Sequence, residues 1–127
     1  MVPGGGLGAH EAQGGHLIRK HIGRTEDQLR ARLIAEPRIP VASTFATRSE
    51  AESTVSDVID KNKDRISAFL NGEERRLAII QPVPAPAGVG VVRRSGNLEQ
   101  LSKVRLILQK NPSLPSGYFI LTGYVDE

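Results

Sequence analysis

"KVRLILQKNPSLPSGYFILTGYV", residues 103 to 125, is the stretch whose reading decides the fold class. Two runs rich in Val, Ile, Leu and Tyr flank the turn residues Asn111-Pro112-Ser113. Runs of this kind, bounded by turn signals, read as strands, and the connection pairs Lys103 to Gln109 with Tyr118 to Tyr124 as a long antiparallel hairpin. In "YFILTGY", strict alternation puts Tyr118, Ile120, Thr122 and Tyr124 on one face and Phe119, Leu121 and Gly123 on the other. Thr122 and Tyr124 then project together, with a glycine between them that leaves the opposite face open. By itself this is a strand end with two half-exposed polar side chains, common in sheets with one wet face.

Working outward, "RRLAIIQPV" and "GVGVVRR" have the same character, separated by turn signals at Pro82 to Gly88 and Ser95-Gly96-Asn97. These too read as strands. Ahead of Gly72 the periodicity is helical. Thr25-Glu26-Asp27-Gln28 is a capping box, predicting a helix that turns Leu29, Leu33 and Ile34 inward and stops at Pro37. Ser49-Glu50-Ala51-Glu52 is a second such box, opening the longest helix, about Glu50 to Leu70. Val55, Val58, Ile59, Ile66, Phe69 and Leu70 form its buried stripe, and Asn71-Gly72 closes it. Between the two helices, "PVASTFAT" (Pro40 to Thr47) reads as a short strand or extended segment. An earlier helix occupies part of His10 to Ile22 and ends at Gly23. Residues 1 to 8 are Gly-rich and read as a flexible linker into a domain covering 9–127. Met1 before "VPGGGLG" reads as a start added to a fragment of a longer chain. Helices first and an antiparallel sheet second make an α+β protein.

The chain of 127 residues is enough for one domain with a real core. At 39% hydrophobic and 24% charged its composition is that of an ordinary globular protein. No apolar run approaches the roughly 20 residues that span a bilayer, and no secretory signal is visible. There is no cysteine, so the core rather than disulfides must hold the fold, which suits a reducing compartment. The net charge is +3, with basic pairs at Arg19-Lys20, Arg75-Arg76 and Arg93-Arg94. That balance is compatible with a polyanionic partner. Only 4% of residues are aromatic, which argues against base stacking on extended aromatic platforms.

All three histidines lie in "AHEAQGGHLIRKHIG", Ala9 to Gly23. The His-Glu opening resembles a zinc-peptidase helix, but the spacing fails. His16 stands six positions after His10, across Gly14-Gly15, where ligands on one helical face stand four apart. His10 and His21 would share a direction only at about 16 Å along a helix axis, too far for one ion. Leu17, Ile18 and Ile22 form a short apolar face. On these residues alone, histidines beside such a face are structural or at the surface.

Three pieces in order, "HEAQGGHLIRKHIGRTEDQLRARL", "ASTF" and "VRLILQKNPSLPSGYFILTGY", together resemble the bacterial ribonuclease A-like toxin domain. That domain stands at the C-terminus of contact-dependent inhibition proteins of the CdiA type and of other polymorphic toxins. The similarity runs from about Leu7 to Tyr124. It implies a two-lobed α+β fold without disulfides and metal-independent RNA cleavage with no cofactor. It also implies a cognate immunity protein, and delivery from a larger exoprotein into a target-cell cytoplasm. Residue by residue, the resemblance carries catalytic roles onto His21 in "KHIG", Arg32 in "LRARL", and Thr122 and Tyr124 in "LTGY". His16, Lys20 and Thr44 are expected to contact substrate, and no metal ligands are expected. Ser43 and Thr44 in "ASTF" either border the cleft or belong to an extended segment with local hydroxyl hydrogen bonds.

The chemistry asks for residues of these types. Metal-free cleavage uses the RNA's own 2′-hydroxyl as nucleophile. It needs a base for that proton, positive charge for the phosphorane and an acid for the 5′-oxygen. Histidine, with an ordinary pKa of about 6.5, is a base near neutrality. Arginine offers a permanently charged fork matched to phosphate oxygens. Threonine can donate or accept, and tyrosine can donate or stack on a base. The vertebrate enzymes use a second histidine on a C-terminal strand; here that strand carries Thr122 and Tyr124 instead. The leaving-group acid is therefore open between Tyr124, His16, and an unassisted departure stabilised by Arg32. Two rival readings are a non-catalytic nucleic-acid-binding module and a toxin domain that acts by binding a protein.

Overall fold

The computed structural model describes residues 1–127. Helices α1 (Gly6–Ala12), α2 (Leu17–His21) and α3 (Glu26–Ala35) come first, followed by strand β1 (Val41–Phe45). Helices α4 (Arg48–Lys61) and α5 (Lys63–Asn71) follow, then β2 (Arg76–Pro82), β3 (Gly88–Val92), β4 (Leu98–Leu101), β5 (Lys103–Lys110) and β6 (Tyr118–Asp126). The α+β class is as expected, and the strands divide into two antiparallel sheets, β1-β3-β4 and β2-β5-β6. The sheets meet where the Ser43 hydroxyl of β1 donates to the Val125 carbonyl of β6. The expected hairpin is β5–β6, registered from Lys103↔Asp126 to Lys110↔Tyr118.

Two cores hold the lobes. The larger gathers Leu7, Leu17, Val55, Val58, Phe69 and the inward residues of β2, β5 and β6. The smaller is Leu29 and Leu33 of α3 against Ala42 and Val91. A fully buried Leu or Val contributes roughly 1.5–3 kcal/mol through removal from water, so α3 has its own anchorage on the β1-β3-β4 sheet. The capping box that opens α3 is complete: Thr25 accepts from the Gln28 N–H, and Gln28 accepts from the Thr25 N–H.

Strand β6 departs from strict alternation. Ile107 pairs with Thr122 and Leu108 with Ile120, so Leu121 is an extra, bulged residue. The bulge reverses the pleat. Ile120, Gly123 and Val125 face the core with Leu108, Leu106 and Val104, while Thr122 and Tyr124 face the other way with Ile107 and Arg105. Ile120 therefore does not share a face with Thr122, as alternation had it. Nor is the face behind Gly123 open. A Cβ there would lie 2.5 Å from Leu106 and 2.8 Å from Leu17, so the glycine lets α2 pack directly on β6.

Other sequence expectations need correction. Residues 1 to 8 are not a free linker: Val2 and Leu7 are buried in the larger core, and α1 already begins at Gly6. The Glu52 carboxylate fastens this segment by accepting from the N–H groups of Val2 and Leu7. The expected first helix is two short helices, because Gly14-Gly15 breaks it. Ile34 is 82% exposed, since α3 buries only the stripe of Leu29 and Leu33. The second cap is Thr47, accepting from the Glu50 N–H, so α4 starts at Arg48. The long helix is split at Asn62, whose side-chain amide bonds the Val58 carbonyl at 2.8 Å while its own N–H bonds that of Ile59. A side chain that takes the i−4 carbonyl displaces the backbone bond and ends α4.

Candidate active site

A cleft of about 440 Å³ opens between the lobes, lined by residues from the first third of the chain and from the C-terminal hairpin. Helix α2 supplies His16, its N-cap, and His21, its last residue; α3 supplies Arg32; β1 supplies Ser43; β5 and β6 supply Arg105, Thr122, Tyr124 and Asp126. All four residues expected to be catalytic, His21, Arg32, Thr122 and Tyr124, are thus brought to one cavity, with His16 beside them. The His21 ring lies 5.5 Å from that of Tyr124 and 6.1 Å from that of His16, centroid to centroid.

Local structure explains how His21 is placed. Gly23, at φ +69°, turns the chain after α2, and its N–H donates to the Phe45 carbonyl. Ile22 then bridges Phe45 in parallel fashion. Thr44 completes this joint: its hydroxyl accepts from the Arg24 N–H at 3.0 Å and lies 2.7 Å from the Phe45 carbonyl and 3.5 Å from that of His21. Thr44 is buried and does not line the cleft. The expectation that it contacts substrate is therefore corrected: alternation along β1 turns Ser43 toward the cleft, and Thr44 pins the end of α2 to β1. Lys20 likewise lies outside the main cleft. It lines an adjoining groove of about 280 Å³ with Arg24, Gln28 and Glu36, and Arg32 belongs to both cavities.

The electrostatics are unusual for a histidine pair. His21 is only 4% exposed. Burial first, then the charge of Arg32, with smaller contributions from His16, Lys20 and Arg24, pushes its pKa down to about 3. Its Nδ1 and the Thr122 Oγ1 are buried with no hydrogen-bond partner in the protein. An unpaired buried polar atom costs roughly 1–3 kcal/mol, so two of them in one cleft mark a place where structure yields to chemistry. Burial and the charges of Lys20 and Arg19 also lower His16, partly offset by Glu11. Burial raises the Tyr124 phenol. At neutral pH the cleft therefore presents two neutral imidazoles, a protonated phenol and guanidinium groups. Arg32 is held through its Nε by Glu36 at 2.8 Å. Opposite it, Arg105 pairs with Asp126 at 3.4 Å. No group of three or more His, Cys, Asp or Glu side chains is arranged to hold a metal ion, and no helix is long and apolar enough to cross a membrane.

Arg105 and Asp126 were not singled out from the sequence; of the two hydroxyls in "ASTF" that could border the cleft, Ser43 lines it. Arg105 stands directly across from Tyr124 in the hairpin, but the bulge makes that pairing unreadable by counting back from the turn.

Comparison with known proteins bears on the family and the fold. Residues 15–124 match the family model described as the bacterial CdiA-CT RNAse A domain. Among solved structures, the crystal structure of a CdiA-CT/CdiI complex from Y. kristensenii 33638 superposes with a TM-score of 0.80 at 37% sequence identity. The match covers 89% of this chain and 100% of that one. No curated protein sequence matches.

Proposed function

As the chain belongs to the bacterial CdiA-CT RNAse A domain family, we propose that it is a toxin ribonuclease that cleaves RNA without a metal ion. In this reading the 2′-hydroxyl of the RNA attacks the adjacent phosphorus and leaves a 2′,3′-cyclic phosphate. The observation that carries it is the convergence of His21, Arg32, Thr122 and Tyr124 on one cleft, with His21 in its base form and a ring nitrogen unpaired.

His21 accepts the 2′-hydroxyl proton as the new P–O bond forms. A base with a pKa near 3 is weak in the free protein, but Arg32 is the second cause of that depression. A phosphate arriving at Arg32 offsets its charge and raises the proton affinity of the ring. Arg32 then faces the developing phosphorane, where a preorganised donor contributes most. Thr122 Oγ1 supplies a further hydrogen bond to the phosphate. When the P–O5′ bond breaks, the 5′-oxygen needs a proton. His16, lowered like His21, enters without one, whereas Tyr124 enters with one. Tyr124 is therefore the leaving-group acid, or the donor nearest the departing oxygen. Lys20 and Arg24 extend the positive surface from Arg32 along the adjoining groove, so the RNA strand continues there.

Labelled RNA incubated with the protein in EDTA tests the reading. Cleavage to products ending in 2′,3′-cyclic phosphate is expected. Loss of cleavage in EDTA with recovery on added zinc or magnesium would overturn the metal-free mechanism, and intact RNA that shifts on a gel would favour a binding module. By analogy with the Y. kristensenii complex, a cognate immunity protein blocks the cleft, acidic where it meets Arg32 and Lys20. In this reading the domain reaches the target-cell cytoplasm as part of a larger exoprotein. Harmless expression of the bare domain in bacteria would count against the toxin role.

A further inference from the structure

The two halves of the cleft sit on elements that cannot hold their own positions. Helix α2 has five residues, far below the roughly 12–15 at which an isolated helix is even marginal. Its N-cap, His16, gives it no side-chain cap. Strand β6 is the edge of its sheet and carries a bulge next to Thr122, and outward backbone groups of an edge strand have no strand partner.

We propose that α1 is a brace between these two elements, and that its adjacent residues His10 and Glu11 are positioning residues for RNA cleavage. Glu11 holds α2. Its two carboxylate oxygens accept from the N–H groups of Ile18 at 2.7 Å and Arg19 at 2.9 Å, the amides a short helix leaves orphaned. His10 holds β6. Its Nδ1 accepts from the Ile120 N–H at 2.9 Å, and its Nε2 lies 2.7 Å from the Pro3 carbonyl. An amide donor at Nδ1 and a carbonyl at Nε2 fix one species, the neutral ring protonated at Nε2.

The brace closes on itself beside the bulge. The His16 N–H donates to the carbonyl of the bulged Leu121 at 2.9 Å. Gly15 lies against the same strand, where a Cβ would collide with the Ile120 carbonyl. His10 thus fixes β6 two residues before Thr122 and four before Tyr124, while Glu11 fixes the helix bearing His16 and His21. One peptide bond separates the two anchors. The 5.5 Å spacing of the His21 and Tyr124 rings depends on that link. Both residues precede residue 15, where the family match begins, so this support comes from the segment ahead of it.

The inference rests on the ribonuclease reading for its kinetic consequence, and its structural half is testable without RNA. In the wild-type protein, a scalar coupling across the hydrogen bond between the Ile120 amide and His10 Nδ1 is expected by NMR, with Nε2 protonated. His10→Leu removes the acceptor, whereas His10→Asn places an amide oxygen near the position of Nδ1. Misplacing a reacting group by about 1 Å can cost a hundredfold. His10→Leu and Glu11→Ala are therefore expected to lose about tenfold to a hundredfold in kcat per folded molecule, with KM little changed, and His10→Asn to recover most of it. The amide shifts of Thr122 to Tyr124 should move in His10→Leu and return toward wild type in His10→Asn. Absence of the coupling, wild-type kcat in folded Glu11→Ala, or equal kcat loss in His10→Asn and His10→Leu would each overturn the brace. If His10→Leu does not fold, Glu11→Ala and the wild-type coupling decide. Expected shifts in a protein that never cleaves RNA would support the brace and overturn the ribonuclease reading.

Discussion

His10 and His21 lie eleven residues apart in the sequence, and both rings are almost fully buried, at 3% and 4% exposed. Their surroundings are opposite. Both nitrogens of His10 are matched, one to the Ile120 amide and one to the Pro3 carbonyl. His21 keeps Nδ1 unpaired, its proton affinity is depressed, and it faces a cleft shared with Arg32 and Tyr124. Burial alone does not separate a structural histidine from a reactive one; the completeness of its hydrogen bonding does. His10 satisfies the edge of a strand, and His21 is held ready for a group the protein does not supply.

The largest test of that contrast is cleavage by His21→Ala. Loss of a general base costs on the order of 10²- to 10⁴-fold in rate. Thermal melting of the same samples should show a folded protein, because the substitution removes a nitrogen that had no partner. A folded variant that cleaves RNA within a few-fold of wild type would return His21 to the structural class with His10.

Arg32→Lys is the next largest. The charge is kept and the planar fork is lost, so the ion pair with Glu36 can re-form while two-point contact to a phosphate cannot. A fall of roughly tenfold to a thousandfold in kcat/KM is expected for one lost oxyanion donor. Near-wild-type kinetics would make Arg32 a solvated arginine of α3, leaving His21 without its neighbouring phosphate site.

The parts legible in the sequence were those that depend on local chemistry. The Thr25 capping box, the β5–β6 hairpin and the α+β order follow from residue spacing alone. His21, Arg32, Thr122 and Tyr124 were named through a family resemblance, and the structure brings them together. The failures have a common cause in tertiary contacts. Leu121 bulges because α1 and α2 satisfy the outer edge of β6, which alternation cannot register. Residues 1 to 8 look like a linker by their glycines, yet Glu52, some forty-five residues on, ties them down. Thr44 and Ser43 are adjacent hydroxyls, and only the pairing of β1 with β3 and its contact with Val125 show which one reaches the cleft.

The same substitution at the two histidines should act with different force on stability. His10→Leu leaves the buried Ile120 N–H without a partner, at a cost of about 1–3 kcal/mol, and takes away the ring nitrogen beside the part-buried Pro3 carbonyl. His21→Leu strands neither group, and an apolar side chain of similar size removes an unpaired polar atom. It should change the unfolding free energy by less than about 1.5 kcal/mol, the range of volume-conserving swaps. Urea unfolding at neutral pH measures both. Equal losses would mean that the hydrogen bonds of His10 contribute no more than packing.

The smallest effect, per pH unit, is the acid dependence of stability, and it isolates His21 by sign. In the unfolded chain the ring titrates near its ordinary pKa of about 6.5, and in the folded protein only near 3. Above 6.5 both states are neutral and the native contribution is fully present. As pH falls from 6.5 toward 3, the unfolded chain takes up a proton that the folded state refuses, so stability declines. The decline approaches about 1.4 kcal/mol per pH unit for one proton, and it stops once the folded ring is also protonated. His21→Gln cannot take that proton in either state. Its stability should therefore fall less steeply than that of wild type between pH 6.5 and 4, with the two curves running parallel above pH 7. Urea unfolding at intervals across that range reads the difference directly. Parallel curves throughout would show that the folded ring protonates as readily as the unfolded one. His21 would then not be held in its base form by burial and Arg32, and its contrast with His10 would lose its electrostatic half.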